Sequence, residues 1–275
     1  MNAPIAAVLL LSALGNAGTW KINNWVPGDD VQLSISRRDG NSRWQMSSGY
    51  PLSELKGLTR EQLRAMHGEV SFRLERDPGT LVFEGKTTVG VGSGNFRFEP
   101  NPAFREKLAA LGYPSPDDEG LLGMAMRDVS LDYASSVARL GFKKLEVDDL
   151  FAFRDRGIDL EMLRDVAAIG YPGLTAADVV LMSDHGVRGK YMKGMKDSGY
   201  RMLEVEEIVR LHDRGISPEF VSGLVEAGRA SIEFDDIILL HDHGITPQYV
   251  AKVVASGFKD LTTEQIVRLH DNGID

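Results

Sequence analysis

Residues 211–220 read LHDRGISPEF, and residues 240–249 read LHDHGITPQY. The second stretch repeats the first at a step of 29 residues, and the step extends far beyond both. Gly112, Gly141, Gly170, Gly199, Gly228 and Gly257 form one column at that spacing, and an aromatic residue follows each except Gly228, where Arg229 stands. Gly157, Gly186, Gly215, Gly244 and Gly273 form a second column, with Asp128 in its first place. A period held without insertion over such a length is the signature of a repeat architecture.

Each period reads as two short helices. Asn101, Ser130, Asp159, Ser217 and Thr246 fill the N-cap place of the first helix, with Arg188 as the exception. Their side-chain oxygens suit the free backbone N–H groups of a first turn. Pro102, Pro218 and Pro247 follow at a position where a missing N–H costs nothing. The first glycine column then supplies the left-handed residue that ends the helix. The second helix starts at caps such as Thr175 and Thr262, with Asp149, Asp178, Glu207, Asp236 and Gln265 at the third position. It stops at the second glycine column. Leu150, Val179, Ile208, Ile237 and Ile266 recur on its apolar face. Helices this short are marginal alone, so neighbouring pairs must bury each other's faces. The expectation is a two-domain, mainly α chain. A small antiparallel β domain precedes an α-solenoid of six 29-residue helix-turn-helix repeats over 101–275.

Residues 19–100 carry a different period. Val31, Leu33 and Ile35 alternate with polar residues, as do Val70, Phe72 and Leu74, and again Phe96 and Phe98. Alternation of this kind marks half-buried strands. Asp39-Gly40-Asn41 and Asp77-Pro78-Gly79 separate them as turns. About five antiparallel strands are expected, interrupted by one short helix. Thr59 caps that helix, Gln62 completes a capping box, Leu58 and Leu63 staple it, and it ends near His67-Gly68. The glycine-rich GVGSGN at 90–95 lacks the Lys-Ser/Thr ending of a phosphate loop and reads as a hairpin or bulge. Trp20, Trp25 and Trp44 read as core or edge packing, with a ligand groove as the competing role.

The first 18 residues resemble a secretory signal. The apolar run at 5–14 is too short to cross a bilayer, and Ala13/Gly15 or Gly15/Ala17 supply small residues for cleavage. No basic residue precedes the run. A periplasmic or secreted location follows, with no membrane span in the mature chain. The chain contains no cysteine, which excludes thiol chemistry and disulfides. Its net charge of −9 argues against nucleic-acid binding. Residues 1–100 hold 11 basic and 10 acidic residues, so 101–275 hold the other 20 and 30. An acidic body of that kind reads as a well-solvated surface, with a docking face for a basic protein or peptide partner as the competing role.

The His-Asp pairs of the repeat form a further pattern. Asp155, Asp184, Asp213, Asp242 and Asp271 stand just before the helix-ending place, where an acid opposes the helix dipole. Capping of nearby backbone N–H groups is the expected reason. His212, His241 and His270 precede the last three of these. His185 and His243 share another column with Arg156 and Arg214. Asp184, His185, His212, Asp213, His241, Asp242, His243, His270 and Asp271 are therefore the candidate interaction ladder. A zinc site needs three or four converging ligands, which adjacent residues of one helix do not provide. No HExxH, GxSxG or P-loop pattern occurs, so no catalytic, cofactor or metal residue is assigned.

The unit EEIVRLHDRGISPEFVSGLVEAG (residues 206–228) resembles repeat tails on some bacterial membrane proteins of the penicillinase-antirepressor, metallopeptidase-like type. GSGNFRFEPNPAF at 92–104 is similar to the segment preceding those tails. The peptidase part has no counterpart here. The resemblance implies a bacterial, envelope-facing module. The functional expectation is a non-enzymatic scaffold that binds a protein or peptide through its repeat surface. The alternative is a small-molecule or metal sensor using the β domain or the His/Asp ladder.

Overall fold

The computed structural model describes residues 16–25, 30–39, 42–142, 145–258 and 260–274. The expected leader core at 5–14 lies outside these, as do Gly40 and Asn41 of the first turn. Of the leader expected over 1–18, Asn16, Ala17 and Gly18 are placed in the fold. The Asn16 amide donates to Asp118 at 2.9 Å, and its carbonyl accepts from the Phe98 backbone at 2.7 Å. Two compact units result. One lies within Met1–Arg139 and Leu145–Asp155, the other within Leu140–Lys144 and Arg156–Asp275.

The first unit is built on a curled antiparallel sheet. Its strands are β1 (Ala17–Trp25), β2 (Asp30–Asp39), β3 (Ser42–Pro51), β4 (Leu55–Lys56), β5 (Gly68–Arg76), β6 (Gly79–Thr88) and β7 (Val91–Pro100). The order is β3-β2-β1-β7-β6-β5-β4. Seven strands thus stand where alternation predicts about five. β1 and β3 do alternate in burial, through Trp20 and Ile22 and through Trp44, Met46, Ser48 and Tyr50, and β4 is only two residues long. Helix α1 (Arg60–Arg64) has the expected capping box, with Thr59 Oγ1 accepting from Gln62 N at 3.2 Å. It ends earlier than His67 because Ala65 turns extended. The carbonyls of Leu63 and Ala65 then accept from the Gly90 and Val89 backbones at the β6–β7 turn.

The hairpin expected at GVGSGN is present, with Gly90 turning it at φ 83°, and the remaining residues start β7. Gly85 and Gly94 face each other across β6 and β7. A Cβ on Gly94 would lie 2.7 Å from the Trp20 Nε1, and one on Gly85 would lie 2.8 Å from the same ring. The glycines clear the space for the indole, which donates to the Glu84 carbonyl at 3.1 Å. Trp20 meets Phe72 edge-on at 5.2 Å, and Phe72 stacks on Phe83 at 4.6 Å. All three are fully buried, each contributing roughly 2–3 kcal/mol by removal from water. Trp20 is therefore core, Trp44 is half-buried on the edge strand β3, and the side chain of Trp25 lies outside the described residues.

Four more helices belong to this unit: α2 (Pro102–Ala110), α3 (Asp118–Met126), α4 (Leu131–Ala138) and α5 (Val147–Asp155). In α3, Leu121, Leu122, Gly123, Met124, Ala125 and Met126 are all buried. A helix apolar on every side must be surrounded, and α3 packs on β6 and β7 and on α5.

The second unit holds α6 (Leu160–Ala168), α7 (Ala176–Asp184), α8 (Gly189–Asp197), α9 (Val205–Asp213), α10 (Pro218–Leu224), α11 (Phe234–Asp242), α12 (Pro247–Ala255) and α13 (Thr263–Asp271). Asp159, Ser217 and Thr246 cap as expected, while Arg188 makes no side-chain cap. Each first helix packs on the next one along, α6 on α8, α8 on α10 and α10 on α12. Among the second helices, α7 packs on α9 and α11 on α13. Gly194 and Gly223 let this happen, since a Cβ on either would come within 2.8 Å of Pro218 or Pro247. The second glycine column is left-handed throughout, from φ 65° at Gly157 to 72° at Gly215.

Candidate functional site

Each ladder carboxylate meets a side chain from the preceding helix pair rather than backbone N–H groups. Arg156 Nε reaches Asp184 at 2.7 Å, His185 Nδ1 reaches Asp213 at 2.8 Å, and Arg214 Nη1 reaches Asp242 at 2.7 Å. His243 Nδ1 lies 3.5 Å from Asp271. Arg127 makes the same contact to Asp155 at 2.8 Å within the first unit. Backbone capping, the expected reason for the acids, is thus replaced by an arginine or histidine side chain one pair earlier. Where it is arginine, its charge offsets the unfavourable placement of an acid at a helix C-terminus.

His212, His241 and His270 do another job. Their rings stand edge-on to Tyr191, Phe220 and Tyr249 at 4.9, 5.4 and 5.1 Å. In each, Nδ1 faces the carboxylate of the following aspartate at 3.7–3.9 Å, too far for a hydrogen bond. The Tyr191 hydroxyl continues outward to the Ile216 carbonyl at 2.6 Å, and burial pushes its ionisation above the usual phenol range. The ladder therefore joins successive pairs. Among the described residues, no group of three or more His, Asp and Glu is arranged to hold a metal ion.

The aromatics after the first glycine column are tethers as well. The Tyr200 hydroxyl donates to the Ile232 carbonyl at 2.6 Å, and Tyr171 makes the same bond to Leu203. Arg229, in the equivalent place, leaves its buried Nε and Nη2 without a hydrogen-bond partner among the described residues.

Two of the concave surfaces among the described residues have several charged side chains in their walls. The first, about 480 Å³, is lined by Arg188, Lys190, Tyr191, Lys193, Gly194 and Pro218, with Gly186, Asp197, His212 and Glu219 around them. Lys190 and Lys193 lie on one face of α8, at the spacing that puts helix side chains side by side. Lys193 is paired with Asp197. Among the described residues, the Arg188 guanidinium hydrogen-bonds to the Met162 sulfur alone, at 3.4 Å. The second surface, about 430 Å³, lies in the first unit beside the edge strand β3, from Met46 to Pro51. Its polar wall is a balanced cluster. Arg76 Nε lies 3.1 Å from Asp128, and Arg154 Nη2 lies 3.2 Å from the other oxygen of the same carboxylate. Glu54 pairs with Arg76 as well. Tyr50 donates to the Met126 carbonyl at 2.7 Å, and burial pushes its ionisation up to about 12. Asp128 keeps the left-handed backbone of its column, φ 54°, without being glycine. Asp tolerates this region at a cost, and the bridge between two arginines is what glycine would lack.

The residues of α8 went unmarked in the sequence reading, although a signal was present. Residues 188–201 hold Arg188, Lys190, Lys193, Lys196 and Arg201 against Asp197 alone. No protein-family model matches this chain, and no curated protein matches it.

Proposed function

We propose that residues 101–275 form an α-solenoid of six helix-pair units, and that the chain is a non-enzymatic scaffold binding a protein or peptide in the bacterial envelope. The observation that carries this reading is the use to which the ladder is put. Its charged groups join one helix pair to the next, as in Arg214–Asp242 and His185–Asp213. Side chains committed to holding a repeat in register support a fixed, extended surface, and are not free for catalysis. The resemblance of the repeat to envelope-facing tails and the leader-like first residues fit the same location. The test passes native envelope extract over the immobilised full-length chain and quantifies retained proteins by mass spectrometry. Enrichment of a defined protein, reproduced with that protein purified, is the expected result. Retention no better than on an unrelated repeat protein would sink the reading.

The cleft beside β3 favours a second reading, a small polar ligand held in the first unit. The strained Asp128 between Arg76 and Arg154 motivates it. A thermal-shift screen of amino acids and short peptides tests it. Stabilisation by one of them that disappears in Arg154→Ala is the expected outcome, and no stabilisation by any removes the reading.

A further inference from the structure

Charge along the helical region is not evenly spread. Residues 188–201 carry five basic residues and one acidic, a net of +4. The whole of 101–275 carries 20 basic and 30 acidic, a net of −10, so everything outside that window amounts to −14. The sign is thus reversed over this window, where α8 itself holds three lysines against Asp197, a net of +2. The reversal coincides with the groove of about 480 Å³.

The cations there differ from those elsewhere in the array. Arg156 and Arg214 are tied to the ladder acids, and at the edge of the basic window Arg201 already holds Glu207 through both oxygens, at 2.9 and 2.6 Å. Lys190 makes no hydrogen bond or ion pair among the described residues, and the Arg188 guanidinium meets only a sulfur. Lys193 is paired with the exposed carboxylate of Asp197 on its own helix. Between these cations the floor is apolar and firm. Tyr191 is fixed by its hydroxyl and by His212, and Gly194 sits directly against the Pro218 ring. Firm apolar floors with charged rims are the usual anatomy of a recognition site.

From this we infer that the α8 groove is the docking site for an acidic segment of a protein partner, one carrying an aromatic or aliphatic anchor between its carboxylates. Anchor and floor exclude water, while Arg188, Lys190 and Lys193 meet the carboxylates and steer the approach. The inference rests on the scaffold reading above. It proposes an acidic partner in place of a basic one, because the ladder acids already face arginine or histidine side chains.

The test uses the full chain and a fluorescein-labelled peptide of aspartate and glutamate around one tryptophan. A lysine analogue of the peptide, an oligothymidylate and phosphatidylglycerol vesicles serve as rival ligands. Fluorescence anisotropy should show binding of the acidic peptide that weakens with salt. Lys190→Ala combined with Lys193→Ala should weaken it about tenfold, corresponding to two modest charged contacts. Lys252→Ala, a cation elsewhere in the array, should leave it unchanged. Unaltered circular dichroism of the double variant shows that its fold persists. Equal binding by the double variant, or preference for the lysine peptide, the oligothymidylate or the vesicles, overturns the groove. If envelope extract then yields a defined partner retained equally by both proteins, the groove fails and the scaffold reading stands. If neither peptide nor partner binds, both fall.

Discussion

Gly194→Ala sets two effects of known sign against each other. In an ordinary helix interior the change stabilises, since glycine is about 1 kcal/mol worse than alanine there. At this position a Cβ would come within 2.8 Å of both Cβ and Cγ of Pro218. Neither partner can retreat cheaply. The proline ring has no rotamer to change, and it stands at the first position of α10, capped by Ser217. Overpacking of a closed contact costs ~1–3 kcal/mol. At the middle of that range the packing term wins, leaving a net loss of about 1 kcal/mol, equivalent to a fall of roughly 2–4 °C in melting temperature. Urea and thermal unfolding followed by circular dichroism measure it. Pro218→Gly removes the clashing atoms, so a double-mutant cycle should show Gly194→Ala becoming neutral or favourable in that background. A rise in stability from Gly194→Ala alone would refute the close-contact account of how α8 meets α10.

Arg229→Tyr should stabilise the chain by about 1 kcal/mol, because a hydroxyl there would reach the Leu261 carbonyl as Tyr200 reaches Ile232, and two buried guanidinium donors would no longer be stranded; no gain in the urea midpoint refutes the tether. Asp128→Ala should cost about 1 kcal/mol more than Asp128→Asn, since asparagine tolerates the left-handed backbone and alanine does not; equal losses in chemical denaturation would show the strain to be unimportant. Hydrogen bonding from Arg201 holds Glu207 below its ordinary value of 4.5. The unfolded chain then takes up more protons in that range, so the pair's stabilisation is present above about pH 4.5 and is lost as pH falls through the folded value. Arg201→Ala should flatten that part of the stability–pH curve, and an unchanged slope counts against the pair.

The parts of the fold that were legible in the sequence are the parts fixed locally. Thr175 and Asp178 cap one another across three residues, and Gly215 ends a helix by its own backbone geometry. The partner of Asp242 was not legible in the same way, because Arg214 meets it only once two helix pairs have packed. The signal existed as a column of Arg127, Arg156, His185, Arg214 and His243, each 28 residues before an aspartate. Reading it required the offset between pairs, which periodicity alone does not give. Strand β1 was hidden for another reason. Its Trp20 is accommodated by glycines on β6 and β7, so its packing is written in other strands. The groove on α8 escaped notice because its residues break the repeat pattern instead of obeying it.

The tethers between helix pairs have fixed reach. Cation and aspartate are always 28 residues apart, Tyr191 and Tyr249 reach carbonyls 25 residues on, and Tyr171 and Tyr200 reach 32. Loss of one residue within a pair therefore breaks every spacing that crosses it at once. Loss of a whole period breaks none: with 217–245 removed, Arg214 would face Asp271 and Tyr200 would face Leu261. Such a chain can lengthen or shorten over generations only in whole units, and a designer changing its span is held to the same increment.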